Sequence, residues 1–120
     1  MLSIEIKDFC SENIHYKNST KNSIIPNGSF TYINYTNSDV TLNTIYLLLK
    51  DNSEENLFTL QNIESDLLKV SSKIKQYKIC QSYQGICKKN KSFLLKITGI
   101  WESSNFCGVS FKIIHMPCSL

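Results

Sequence analysis

The feature of this sequence that most limits its fold is an alternation of apolar and polar residues over short segments. It is clear in residues 2–10 (LSIEIKDFC) and 29–36 (SFTYINYT), whereas residues 45–49 are apolar at every position. Alternation with a period of two predicts a strand with one buried face, and a short apolar run predicts a strand buried on both faces. The segments of this kind are 2–10, 29–36, 40–50, 57–60, 72–80, 92–101 and 106–116.

These segments, about seven in number, are separated by turn-forming residues, a pattern typical of a β-sandwich. Residues 63–70 alone suggest a helix, and their isolation favours a loop or a short helix between strands. A chain of 120 residues can bury one modest core and is too short for two. The sequence therefore predicts an all-β fold in a single domain that covers residues 1–120.

Charge and motif content argue against several functions. Thirteen lysines and ten acidic residues give a net charge of +3, and they are scattered along the chain. Nucleic-acid binding needs a basic patch, so we expect no nucleic-acid partner. Nucleophile motifs, carboxylate pairs and glycine-rich phosphate loops are absent from the sequence, so we expect neither enzymatic activity nor a cofactor. No apolar run approaches the ~20 residues of a membrane span, so we expect no transmembrane segment.

The five cysteines favour disulfide bonds. A zinc site needs four ligands, usually in two close pairs, and a thioredoxin-type motif has two residues between its cysteines, so we expect neither. Cys80 and Cys87, with six residues between them, are predicted to form a disulfide that closes a turn. Cys10 ends the first predicted strand and Cys107 begins the last, and we expect a second bridge between them. Cys118, near the C-terminus, is then left over, and three fates stay open for it: a free thiol, a bridge between molecules, or a bridge to Cys10 in place of Cys107.

Four Asn-x-Ser/Thr acceptor patterns occur, at Asn18, Asn27, Asn34 and Asn90. Together with the cysteines they predict a secreted or lumenal glycoprotein, because disulfides persist in oxidising compartments. The segment after Met1 does not have the composition of a secretory signal, so we expect that a natural leader has been removed.

The cysteine pattern resembles that of the ML family, the MD-2-related lipid-recognition group. The similarity lies in a cysteine after the first alternating segment (IEIKDFC), a close pair in mid-chain (ICQSYQGIC) and a cysteine that opens the last strand (NFCGVSFKIIHMP). The resemblance implies an immunoglobulin-like sandwich of two antiparallel sheets, stapled by disulfides. It also implies a lipid or sterol held between the sheets.

A lipid site of this kind would be lined by apolar side chains that point between the two sheets. The candidates for these inward faces are Phe30, Tyr32, Ile45, Leu47, Leu49, Leu95, Ile97, Val109, Phe111 and Ile113. Trp101 is a further candidate, at the rim of the sandwich, where it could guard the mouth of the pocket or mark a partner surface. The same alternation is equally typical of a closed core.

A second hypothesis is an extracellular β-sandwich that binds a protein receptor or host factor through its surface. Only residues 88–106 separate the close cysteine pair from the last predicted strand. This leaves room for one strand where ML proteins usually have two. A missing strand would leave an open sheet edge, and such an edge can pair with a partner.

Overall fold

Strands are the main secondary structure of the residues that the structure describes, as the alternation predicts. The computed structural model describes residues 3–17, 20–22, 28–50, 54–86 and 92–115, which contain nine strands and two α-helices. The strands are β1 (Ile4–Glu5), β2 (Ile14–Tyr16), β3 (Thr20–Asn22), β4 (Gly28–Thr36), β5 (Thr41–Leu42), β6 (Ile45–Lys50), β7 (Ile74–Gln76), β8 (Ser92–Glu102) and β9 (Phe106–His115). The helices are α1 (Glu54–Leu68) and α2 (Ile79–Ile86).

The two helices depart from the predicted pattern. Residues 57–60, predicted as a strand, belong to α1, and the predicted strand at 72–80 divides into β7 and the start of α2. In α1 the buried residues Leu60, Ile63 and Leu67 recur at helical spacing, which places them on one side of the helix. The predicted short helix at 63–70 is the second half of this longer element.

Strand β8 lies at the centre of the sheet. One edge pairs antiparallel with β9 from Phe93 to Glu102, and the other edge pairs with β6 over its first half and with β4 over its second half. Strands β2 and β3 extend the sheet beyond β4. Strands β1 and β7 are parallel to their partners β6 and β9, so the sheet is mixed.

The hydrophobic core lies between the sheet and the two helices. Strands β6 and β8 contribute Leu47 and Leu95, which are directly opposite each other in the register and fully buried. Helix α1 contributes Leu60 and Leu67, and α2 contributes Tyr83, whose ring packs edge-on against a phenylalanine of β8. Side chains of the helices therefore cover one face of the sheet.

A β-bulge in β8 determines which side chains face the helices. The pairing with β9 shifts between Ile97 and Gly99, so Thr98 has no partner in the register. An extra residue reverses the alternation from that point on. As a result Ile97 and Ile100 both belong to the core, and Trp101 lies on the opposite face.

A buried carboxylate holds the two helices together. Glu64 of α1 is 1% exposed, and its carboxylate accepts hydrogen bonds from the backbone N–H groups of Lys78 (2.9 Å) and Ile79 (3.2 Å). These donors lie at the N-terminus of α2, where backbone N–H groups have no partner within the helix. Burial raises the pKa of Glu64, and the two backbone hydrogen bonds partly offset this effect.

We expect Gly99→Ala to destabilise the protein by about 2 kcal/mol or more, because an added Cβ would clash with backbone. The Cβ would lie 2.3 Å from the carbonyl oxygen of Thr31. Gly108→Ala is the matched control, since the atoms nearest to its Cβ belong to the side chain of Trp101, at 2.7 Å, and not to backbone. Urea unfolding should show the larger loss for Gly99→Ala, and equal losses would contradict this packing.

We expect the free energy of unfolding to contain a component from Glu64 that decreases as the pH rises above ~4.3, the ordinary pKa of glutamate in an unfolded chain. The folded protein holds this proton more tightly than the unfolded chain, so the contribution is lost as the pH rises through the raised pKa. Unfolding of the wild type and of Glu64→Gln over a pH series should show the component in the wild type alone.

Asp66→Asn is the control for this measurement, because Asp66 titrates in the opposite sense. The hydrogen bond from Lys69 lowers the pKa of Asp66, so its stabilising contribution is present at higher pH and lost as the pH falls below ~3.9. A Glu64→Gln variant with the same pH dependence as the wild type would contradict the buried position of this carboxylate.

Candidate binding surface

The face of the sheet away from α1 and α2, which we call the outer face, carries a row of large apolar side chains. We call this row the apolar stripe; it consists of Phe30, Tyr32, Trp101, Phe106 and Ile74. In the register Phe30 of β4 is opposite Trp101 of β8, and Phe106 of β9 is opposite Ile74 of β7. The stripe therefore crosses four neighbouring strands.

Members of the apolar stripe are open to solvent. Tyr32 is 47% exposed, Phe106 is 39% exposed and Ile74 is 62% exposed. Single exposed apolar residues are common on soluble proteins, but a contiguous group of them marks an interaction surface more often than chance would give. The apolar stripe is such a group.

Two glycines hold the aromatic rings of the stripe close to the sheet. A Cβ on Gly99 would lie 2.7 Å from the ring of Phe30, and a Cβ on Gly108 would lie 2.7 Å from the indole of Trp101. The rings therefore occupy the space that side chains at these two positions would fill. Phe30 also packs edge-on against Tyr32, with ring centroids 4.7 Å apart. Rings held in this way have little conformational entropy to lose when a partner binds.

Next to the apolar stripe, two lysines face each other across neighbouring strands. Lys96 of β8 and Lys112 of β9 are directly opposite in the register, and Tyr46 of β6 lies beside Lys96. Neither lysine makes an ion pair in the part of the chain that the structure describes. Like charges opposite each other destabilise a sheet. An anionic partner would offset the repulsion between Lys96 and Lys112.

The structure divides the predicted lipid-lining residues into two groups. One group faces the helices within or against the core: Ile45, Leu47, Leu49, Leu95, Ile97, Val109, Phe111 and Ile113. The other three, Phe30, Tyr32 and Trp101, lie on the outer face. The predicted inward orientation of Phe30 and Tyr32 is wrong, because Ile33 and Tyr35 supply the buried side of β4. Trp101, predicted at the rim, lies on the outer face because the bulge reverses the alternation of β8.

The predicted Cys10–Cys107 disulfide is not formed. Both are free cysteines: Cys10 is exposed, and Cys107 is buried in β9 with its thiol 3.8 Å from the carbonyl oxygen of Lys73. The two side chains therefore lie in different environments, one in solvent and one under the helices. Cys118, the alternative partner, is outside the described residues.

Cys80 is also a free cysteine, so the predicted turn-closing disulfide is not seen. Cys80 lies in α2 instead of a turn, and its thiol donates to the carbonyl oxygen of Leu57 in α1 at 3.5 Å. Burial and the charge of Glu64 raise the pKa of this thiol, which makes it a poor nucleophile at neutral pH. Its predicted partner, Cys87, lies outside the described ranges.

Of the predicted glycosylation sites, the structure describes Asn34. It lies within β4 opposite His15 of β2, and its Oδ1 atom is buried without a hydrogen-bond partner. N-glycosylation is usual in exposed loops, which this position is not. Asn18, Asn27 and Asn90 fall outside the ranges that the structure describes.

No helix among the described residues is long and apolar enough to cross a membrane. The same residues contain no group of three or more histidine, cysteine or acidic side chains that could hold a metal ion.

No family model, curated protein or solved structure matches this chain. The resemblance to the ML family therefore stays a prediction. We infer function from the chemistry of the described surface.

Sequence reasoning missed Lys96, Lys112, Phe106 and Ile74 as parts of one surface. The signal for β9 is present in the sequence, because Phe106, Gly108, Ser110 and Lys112 share one parity of the alternation. Ile74 could not be assigned, since a parallel pairing between β7 and β9 leaves no local mark in the sequence.

We expect iodoacetamide to modify Cys10 in the folded, unreduced protein, whereas Cys107 should react only after unfolding because it is fully buried. Peptide mass spectrometry before and after denaturation reads both sites, and Cys10→Ser identifies the Cys10 signal. A Cys10–Cys107 bridge in the unreduced protein would contradict the free thiols.

Proposed function

We propose that this protein is a non-enzymatic binding module that uses its outer face to bind a protein partner with an acidic surface. The observation that carries this proposal is the position of the apolar stripe beside Lys96 and Lys112, which make no ion pair with any described residue. Apolar contact supplies affinity at such an interface, and complementary charge supplies specificity and a fast on-rate.

The size of the outer face suits a protein partner. Strands β4, β8 and β9, which are 9, 11 and 10 residues long and about 4.8 Å apart, give a flat area of roughly 500 Å² before side-chain relief is counted. A standard protein interface buries about 800 Å² on each side. The outer face can therefore supply most of one interface by itself.

The charge on the outer face determines the chemistry of the partner. Lys96 and Lys112 lie at its middle, and Glu5, at the edge strand β1, is the acidic residue that the described pairings place on this face. An acidic group on the partner would lie between the two ammonium groups and offset their repulsion.

A protein partner is favoured over a nucleic acid. The two lysines of the outer face, in a chain without arginine, can contact only a few phosphates. Tight nucleic-acid binding usually neutralises several phosphates. The exposed Ile74 and Phe106 offer aliphatic and aromatic contact that a protein surface can match.

The lipid carrier and its immunoglobulin-like sandwich remain the alternative proposal. The cysteine pattern of the sequence supports it. The predicted lining residues that belong to the core are packed with the side chains of α1 and α2, so a ligand there would have to displace helix side chains such as Leu60 and Tyr83. Native mass spectrometry that finds a lipid lost on denaturation would favour this alternative.

We also propose that the protein is secreted, since its partner would then be a receptor or a host factor. Secretion is supported by the acceptor patterns and the cysteine content of the sequence. The described thiols do not add to this support, because all three are free.

Selection of short random peptides on the immobilised protein tests the proposed function. We expect the selected peptides to be rich in Asp and Glu beside an apolar residue. Lys112→Glu should weaken their binding by about tenfold or more, which corresponds to ~1.4 kcal/mol. The matched control is Lys78→Glu, since Lys78 is also exposed but lies beside α2 on the other side of the sheet.

Three results would contradict the proposal. These are selected peptides without acidic residues, equal effects of Lys112→Glu and Lys78→Glu, and selected peptides that perturb amides of the helices instead of β8 and β9. Binding of an oligothymidylate that is weakened by Lys112→Glu would replace the protein partner with a single-stranded nucleic acid.

A further inference from the structure

A second surface feature, independent of the outer face, is a cleft of about 500 Å³ between α1 and α2. The residues that line it include Gln61, Asn62 and Gln81, which carry amide side chains, together with Tyr77 and Glu64. A volume of this order is within the usual range of small-molecule sites.

The unusual group in the cleft is the carboxylate of Glu64. It is 1% exposed, and no cationic side chain in the described residues lies within ion-pairing distance of it. Buried carboxylates are normally paired with a cation, because removing an unpaired charge from water is costly. Glu64 caps α2, but a carboxylate has about four acceptor positions and the two backbone N–H groups leave capacity for another donor.

We propose that this cleft binds an alkylammonium group, with the carboxylate of Glu64 as its counter-ion. An ammonium has three donors and no acceptor, so it can bond Glu64 while amide oxygens of Gln61 or Gln81 accept its remaining hydrogens. Tyr77 is 49% exposed and offers a ring for cation–π contact with the same group. The ligand is either a free small amine or a lysine side chain of a peptide, since both present the same group.

Titration of ¹⁵N-labelled protein with n-butylammonium tests this proposal. We expect saturable shifts of the amide signals of Lys78 and Ile79, which bond Glu64. 1-Butanol, a neutral molecule of similar shape, should cause no such shifts. Nα-acetyl-lysine amide in place of the amine separates the two sources, because tighter binding of this probe than of n-butylammonium points to a peptide lysine.

Glu64→Gln should weaken n-butylammonium binding by about tenfold or more. Should this variant fail to fold, Tyr77→Ala serves instead, since this half-exposed ring can be removed without opening the core. Tyr77→Ala should weaken the amine several-fold. Absence of saturable shifts at Lys78 and Ile79, or equal binding of 1-butanol and the amine, would overturn the proposal. Neither result bears on the outer face, which lies across the sheet.

Discussion

The structure depends on the pairing of β8 with neighbours on both of its edges. Strand β9 covers one edge along nearly its whole length, and β6 and β4 share the other. From Phe93 to Glu102 every residue of β8 except Thr98 at the bulge has a partner on both edges, so the strand can be buried on one face with its backbone groups largely satisfied. Leu95 and Ile97 then anchor the core, and α1 and α2 cover them. The order of the strands, the core and the open outer face follow from this arrangement.

A single residue at the bulge determines the character of both faces. Without the bulge at Thr98, strict alternation would place Trp101 under the helices and Ile100 in solvent. With it, Ile100 joins the core and Trp101 joins the apolar stripe, where its indole lies over Gly108. The side chains that β8 presents to a partner on the outer face therefore depend on the bulge.

The sequence patterns predicted the main strands, but they did not predict the helices between the strands, the state of the cysteines or the pairing register. The alternation of residues 29–36 and 92–101 predicted β4 and β8, because one face of each strand is buried against a core. Helix α1 was missed because residues 57–60 read as a short apolar run, which periodicity alone cannot assign to helix or strand. The predicted disulfides failed because cysteine spacing does not show whether the intervening residues form a turn or a helix. The lysine pair of the candidate surface depends on the register between β8 and β9, which no local pattern specifies.

The central claim is that the helices cover one face of the sheet and leave the apolar stripe of the outer face exposed to solvent. Trp101 is the single tryptophan of the chain and lies on the outer face, so its fluorescence reports on that face alone. Acrylamide quenching of Trp101 fluorescence in the native protein measures directly how accessible this indole is to solvent. The structure predicts ready quenching in the folded state, with emission between that of a buried and a free indole. Strongly blue-shifted emission that acrylamide quenches only after unfolding would show that the outer face is covered and would contradict the account.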